Sequence, residues 1–312
     1  MNRSKAFFLN GGAGRILCSI PALEKYQEES GDANFIIVCE GGTDMFKGHP
    51  TLDSKVYDNW HKGLFQDKLV HMDVVSPEPY RVWEYYNQKC SLSQAFDIEI
   101  NGKGIRPLPK PTLRLSKEEL ISGRQFVSQV KEKIKKEKVI VFQPFGRGIQ
   151  HIDSSFVDPS NRSIEYKDVK TLIKRLQDKG YAVILMSEFG LDLTEDKLKD
   201  EIAMPENINL RVWAAIIKFS THFLGCDSVG QHIAYAVDQK CTVITGSTFP
   251  INVSYPDCKT INILDMGEFA REYSPIRIVQ DERVDRKHEG IMSMDDEIIK
   301  VVIDTVVTGK IK

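Results

Sequence analysis

No stretch of about eighteen consecutive apolar residues occurs in this chain, which argues against a membrane-spanning helix and against integral membrane association. Its opening residues, MNRSKAFFLNGG, hold neither the apolar core of a secretion signal nor a small-residue cleavage site, so a cytoplasmic protein is expected. The six cysteines, Cys18, Cys39, Cys90, Cys226, Cys241 and Cys258, form no Cys-x-x-Cys pair. Several lie in apolar runs, where a thiol behaves as a small hydrophobic group, so neither a disulfide framework nor a zinc site is expected. A marked excess of charge of one sign is missing as well. With 42 Lys and Arg against 44 Asp and Glu the net charge is −2, which excludes a generally basic protein but leaves room for a local basic face. GxxxxGK[ST], HExxH and GxSxG are all missing, and with them go the P-loop, the commonest metalloprotease and the α/β-hydrolase readings.

What is present is a chain of 312 residues, 41% of them apolar, long enough for two domains of ordinary size. KAFFLN reads as a buried strand, GGAGRI as a glycine-rich turn, LCSIPALEKYQEES as a helix interrupted early by Pro21, and NFIIVCEGG as the next strand. That order implies a right-handed parallel unit. KLVHMDVV reads as a further strand and EPYRVWEYYNQKCSLSQAF as a long aromatic helical stretch, before a Pro- and Gly-rich linker, INGKGIRPLPKPTLRLSKEE. The second half repeats the grammar. A helix opening with the capping-box pair Ser116 and Glu119 leads into the strand VIVFQPFG, then the amphipathic helix YKDVKTLIKRLQDKG closed by Gly180, and the strand YAVILMSEFG. NLRVWAAIIKFS, HFLGC, QHIAYAV and CTVITG continue as helix, strand, short helix and strand, and SMDDEIIKVVIDTVV is a helix near the carboxyl end. The expected fold class is α/β with two parallel-sheet domains, residues 1–115 and 116–312, on either side of a cleft.

The polar turn Asp227 to His232 follows a buried strand and opens a helix, which in an α/β sheet is where ligands meet helix amides. An N-capping Asp227 and a satisfied core His232 are the plainer readings of the same residues. In NGGAG, Gly12 and Gly14 have dinucleotide-loop spacing, but Leu17 stands where a third glycine belongs. A tight turn needing positive φ explains the loop as well as a ligand contact does.

RVWAAIIKFSTHFLGCDSVGQHIAYAVDQKCTVITGSTFP resembles the nucleotide-sugar half of the heptosyltransferase-like glycosyltransferases of family 9. Asp227, Ser228 and His232 keep that pattern's spacing, GRILCSIPALEKY resembles its amino-terminal loop and helix, and the segment 78–102 is closer in character to versions carried by T4-type bacteriophages. The resemblance implies a GT-B fold, two Rossmann-like domains with parallel sheets facing a central cleft. It also implies inverting transfer from a nucleotide-diphosphate sugar with no metal and no other cofactor. Growing charge on the departing diphosphate would be met by helix amides and basic side chains. Ser228, Gly230 and the amides of the 231–237 helix are expected at the phosphates, with His232 donating a hydrogen bond or helping to orient the loop, Asp227 fixing the turn, and Gly246, Ser247 and Thr248 forming the adjoining wall. Arg147 and Arg162 are further phosphate candidates, since arginine grips phosphate with two parallel bonds. Glu188, after a strand, is the candidate for the ribose hydroxyls.

Members of that family commonly carry Gly-Asp before the Pro-Ala-Leu helix, with the aspartate as general base. This chain has Gly14-Arg15, and an arginine cannot accept the proton. Arg15 is then a candidate phosphate contact, and the base must come from elsewhere. Glu40, Asp44 and His49 lie beyond the second strand, with Asp44 preferred. For the acceptor, Lys103, Arg106 and Lys110 head a basic stretch from 101 to 117 without acidic residues, near Tyr80, Trp83, Tyr85 and Tyr86. Such surfaces suit DNA, and a hydroxymethylated pyrimidine base is the favoured acceptor, with a lipopolysaccharide core saccharide as the alternative. The rivals from other classes are a non-catalytic nucleotide-sugar sensor and an epimerase of the same architecture.

Overall fold

A computed structural model describes residues 3–152, 155–188, 202–271 and 290–310. The chain divides between Ser116 and Lys117 into two compact units, where the expected break stood at 115/116.

In the first unit β1 (Lys5–Leu9) leads through Asn10 to Gly12 into α1 (Ala13–Glu29), followed by β2 (Ile36–Cys39), β3 (Val56–Asp58) and β4 (Asp73–Val75). All pair in parallel in the order β3-β2-β1-β4. Phe7, Tyr26 and Phe35 lock α1 onto the sheet in edge-to-face contacts with centroids 4.8 to 6.0 Å apart. The expected interruption at Pro21 does not occur. A mid-helix proline costs about 3 kcal/mol, yet Ile16, Leu17, Ile20 and Leu23 are fully buried around it, at about 1.5–3 kcal/mol each. Packing outweighs the break.

Two other expectations change. Of KLVHMDVV only Asp73–Val75 pairs as strand, because a π turn over 64–68 and a positive φ of 68° at His71 occupy the rest. The aromatic stretch is not one helix. It breaks into a 3-10 turn at Pro79–Arg81, α2 (Trp83–Tyr86) and α3 (Leu92–Asn101), with Gln88 at φ 52° between the two helices. A capping box opens α3: the Gln94 amide donates to Ser91 Oγ (3.3 Å) and the Ser91 amide to Gln94 Oε1 (3.0 Å).

The second unit begins with α4 (Lys117–Ile134) and β5 (Lys138–Gln143), then the antiparallel hairpin β6 (Gln150–Ile152) and β7 (Ser155–Val157), α5 (Tyr166–Asp178), β8 (Tyr181–Leu185) and β9 (Ile202–Ala203). It continues through α6 (Leu210–Phe219), β10 (His222–Cys226), α7 (Val229–Ala236), β11 (Cys241–Thr245), α8 (Pro250–Val253), β12 (Ile261–Asp265) and α9 (Asp296–Thr308). The six-stranded sheet runs β12-β11-β10-β5-β8-β9, every pairing parallel. Its central strands are buried throughout, the reason they read as unbroken apolar runs. Helices α4 and α6 approach closely because Gly123 faces Ala215, where an added Cβ would lie 2.4 Å from the alanine Cβ. The buried Arg211 clamps the same crossing with a two-pronged bond to Glu119 (2.6 and 2.9 Å).

Strand order reverses once in each sheet: between β1 and β4 in the first unit, and between β5 and β10 in the second. Loops leave such a point in opposite directions and open a crevice at the carboxyl ends of the strands, the usual ligand position in open α/β sheets.

Candidate functional site

At the β5/β10 reversal, the buried Gln143 ends β5 and spans to the next loop. Its Nε2 donates to Ser228 Oγ (3.2 Å) and its Oε1 accepts from the Gly230 amide (2.9 Å). Ser228, not Asp227, is the N-cap residue of α7. The expected phosphate role of Gly230 changes accordingly. Its N–H is already bonded to Gln143, and glycine is required by packing, since a Cβ would lie 2.3 Å from Phe223 Cζ and 2.4 Å from Gln143 Oε1. Asp227 is buried and fixes the turn, accepting from Gln231 Nε2 at 2.8 Å.

Asp227 Oδ2 also lies 3.9 Å from Arg162 Nη1. Arg162 in turn is set by a knot that the sequence reading missed. Asp158 Oδ1 accepts from the Ser160 amide (2.8 Å) and hydroxyl (2.5 Å), and Oδ2 from the Ser163 amide (3.0 Å) and hydroxyl (2.5 Å). Burial pushes the Asp158 carboxyl upward, but these bonds and the Arg162 charge hold it below the ordinary carboxylate value. Arg162 Nε donates to Ser160 Oγ (3.0 Å), and Ser163 Oγ accepts from the Gly146 amide (3.0 Å). Ser247 Oγ donates to the Ser160 carbonyl at 2.6 Å, so the loops after β7 and β11 are stitched together. The one signal for this knot was the run DPSNRS, whose Asp and Ser spacing favours side-chain-to-backbone turns. Arg147 is exposed in the turn after β5.

His232 is buried and shares a 2.8 Å hydrogen bond between Nδ1 and the Tyr255 hydroxyl; Tyr255 stacks on Tyr235 with ring centroids 3.7 Å apart. Burial pulls the imidazole down to about 4, so it is neutral near pH 7. A cationic phosphate contact is therefore not available from His232. The wall after β11 is held by Arg271, whose Nε donates to the Gly246 carbonyl (3.0 Å), whose guanidinium bonds Asp265, and which lies 4.4 Å from the Phe249 ring centroid. Within this region Thr248 Oγ1, Gln231 Oε1 and Ser254 Oγ are buried and have no hydrogen-bond partner among the described residues. Buried polar atoms are nearly always bonded, and leaving one unmet costs about 1–3 kcal/mol. Such a set fits a surface that a polar ligand completes. Beside the end of β8, Glu188 is exposed at the edge of a pocket of about 530 Å³ lined also by Leu185, Ser187, Met204, Asn207 and Trp213.

At the β1/β4 reversal Gly12 caps α1 and Gly14 lies within its first turn. The positive φ falls on Gly11 (93°) and not on Gly12, whose φ is −86°. Arg15 is drawn inward, donating from Nη2 to the Pro77 carbonyl (3.1 Å), with Glu78 at 3.6 Å and the Tyr80 and Phe96 rings 4.9 and 5.6 Å away. Its side chain is 12% exposed, so the guanidinium serves its own unit first. Asp44 is exposed in a 3-10 turn, Thr43–Phe46, whose preceding Gly42 presses against Ala13 and Ile16 of α1. Glu40 is exposed beside it. His49 is not a base: its Nδ1 accepts from the Thr51 and Leu52 amides (3.3 and 3.1 Å), which leaves the proton on Nε2, 3.0 Å from Glu24.

The expected acceptor residues part company. Arg106 forks onto Asp97 (2.6 and 2.9 Å) and onto Glu29 (2.8 and 2.9 Å), binding the start of the linker to α3 and α1, so it is not a loose phosphate contact. Lys103 and Lys110 are exposed. Tyr80 and Tyr85 are core residues packed edge to face at 5.5 Å, while Trp83 and Tyr86 are exposed.

All six cysteines are free thiols. Among the described residues no helix is long and apolar enough to cross a membrane, and no group of three or more His, Cys, Asp or Glu could hold a metal ion.

No family model matches the chain, and no curated protein matches it. Solved structures do. A glycosyl transferase of family 9 from Veillonella parvula aligns with a TM-score of 0.69 at 11% identity over 99% of both chains. The E. coli ADP-heptose lipopolysaccharide heptosyltransferase II aligns at 0.62 and 11% identity, covering 98% of this chain and 99% of that one. The E. coli heptosyltransferase WaaC with ADP aligns at 0.50 and 13% identity, over 84% and 93%. Over its whole length, then, this chain is similar in fold to family 9 glycosyltransferases, the α/β class with two parallel sheets that the sequence resemblance implied.

Proposed function

We propose that the protein is an inverting glycosyltransferase that takes a sugar from a nucleotide-diphosphate sugar and delivers it to an acceptor hydroxyl. The observation that carries this reading is the second unit's β5/β10 crevice, where Arg162 is held beside the start of α7 by the Asp158 knot. An arginine fixed at a helix N-terminus is suited to the charge that builds on a departing diphosphate. Ser228 and the Thr248 hydroxyl, which has no partner among the described residues, add donors, and Arg147 lies close by in sequence. The nucleoside is assigned to the pocket beside β8, with Glu188 accepting from the ribose hydroxyls. Helix amides, Arg162 and hydroxyls do the neutralising in this scheme.

For the acceptor the proposal is a saccharide. A DNA base has lost part of its support, because Arg106 is spent on Asp97 and Glu29 and two of the four nearby tyrosine and tryptophan rings are buried. Neighbouring structures described as heptosyltransferases, one of them acting in lipopolysaccharide synthesis by its name, agree with a saccharide.

Incubation with a panel of nucleotide sugars and three acceptors, deacylated lipopolysaccharide, hydroxymethylcytosine DNA and plain DNA, with and without EDTA, tests the reading by product mass. The expected result is EDTA-resistant transfer to the saccharide. Transfer to the modified DNA alone would move the acceptor back to a nucleobase. A changed sugar with no acceptor product would make the protein an epimerase, and absence of both turnover and nucleotide binding would remove the enzyme reading.

A further inference from the structure

We propose that Glu78 is the general base of the reaction, held in place by Arg15 and Asn10; the inference rests on the glycosyl-transfer reading above. Glu78 follows β4, and Asn10 follows β1, so both stand at the carboxyl ends of the strands where the first sheet reverses order. Asn10 Nδ2 donates to Glu78 Oε1 at 3.2 Å, and the Arg15 guanidinium lies 3.6 Å from Oε2. The carboxylate is thereby oriented from two sides. Its side chain is one-third exposed, which leaves lone pairs within reach of a bound hydroxyl.

The backbone beneath it is stiff. Glu78 sits between Pro77 and Pro79, both buried, and its carbonyl accepts from the Arg81 amide at 2.9 Å. Arg15 grips this segment twice, through the Pro77 carbonyl and through Glu78 itself. Glu99 is the other carboxylate nearby, its Oε2 3.5 Å from the Glu78 amide nitrogen. The same arginine that cannot be a base therefore carries one, by fixing a glutamate delivered after β4, on the opposite side of β1 from β2, the strand that precedes Asp44.

In the proposed step the acceptor O–H proton passes to the Glu78 carboxylate as the acceptor oxygen bonds to the anomeric carbon. The bond from that carbon to the diphosphate oxygen breaks, and its electron pair leaves with the nucleoside diphosphate. A positioned general base contributes about 10²–10⁴-fold. Glu78→Gln keeps shape and the Asn10 contact but removes basicity, so kcat is expected to fall by about that factor with donor affinity unchanged. Arg15→Met is expected to lower kcat in the wild-type background and to have no added effect on Glu78→Gln, because the two act as one unit.

The test measures transfer and donor affinity for the wild type, both single variants, their double and Asp44→Asn, with thermal melts to confirm folding. Loss confined to kcat in Glu78→Gln, with non-additive Arg15→Met, supports the assignment. Full turnover by a folded Glu78→Gln, or a loss carried by Asp44→Asn in its place, would overturn the base while the glycosyltransferase reading stands. Absence of wild-type turnover from every donor would overturn both. Additive losses would show that Arg15 does not act through Glu78.

Discussion

Asp158→Ala is expected to weaken the binding of a nucleoside diphosphate about ten- to a hundred-fold while leaving the affinity for the bare nucleoside unchanged. The range follows from one charge-assisted contact of about 1.5–3 kcal/mol. Asp158 never has to touch the ligand for this. It accepts four hydrogen bonds from Ser160 and Ser163, and Ser160 in turn holds Arg162 Nε and receives the Ser247 hydroxyl. Without the carboxylate those donors lose their common acceptor, and the Arg162 side chain loses the loop that aims it. Asp158→Asn retains one carbonyl oxygen and should fall between the wild type and alanine. Calorimetry with nucleoside, monophosphate and diphosphate separates the effects. An equal loss for all three ligands would mean a general collapse of the unit and would contradict the assignment to Arg162.

A second large effect is expected in acid. His232 and His222 are both buried and pulled from 6.5 to about 4 by that burial, with the Lys240 charge acting on His222 as well. His222 is bonded inside the sheet, Nε2 to Thr242 Oγ1 at 2.8 Å. Between about pH 6.5 and 4 the unfolded chain therefore binds protons that the folded chain refuses. The sign follows: stability is full above about pH 6.5 and falls as pH drops toward 4, by at most about 3 kcal/mol for each histidine. Urea unfolding at pH 7 and pH 5 should show a lower midpoint at pH 5, with a smaller drop in His222→Gln. Equal midpoints at the two pH values would contradict the burial account.

What the sequence disclosed, and what it hid, follows the distance over which each contact acts. The strand-to-helix turn at 227–232 was legible because apolar period, polar knot and helix start all lie within a dozen residues. The partners that decide its chemistry were not. Gly230 reads as a phosphate glycine until Gln143, 87 residues earlier, takes its amide. His49 reads as a candidate base until two amides and Glu24 occupy its ring. Asn10 and Glu78 are 68 residues apart and meet only because β4 inserts beside β1, a strand order that no local pattern encodes. The broken helix over 79–101 hid Glu78 further, since its aromatics mimic a helical stripe while Pro79 and Gln88 end it. Asp44 lies beyond the second strand, as expected, and the structure puts it on an exposed 3-10 turn beside the amino end of α1.

The central claim is that the second unit binds a nucleoside diphosphate at the crevice set by Arg162. Its most direct test is a calorimetric titration of the intact protein with ADP, GDP, UDP and CDP in EDTA, repeated on Arg162→Ala. The account expects saturable binding of at least one of the four and a loss of about ten-fold or more in the variant, consistent with one arginine–phosphate contact. No binding by the wild type, or binding that Arg162→Ala leaves unchanged, would contradict it.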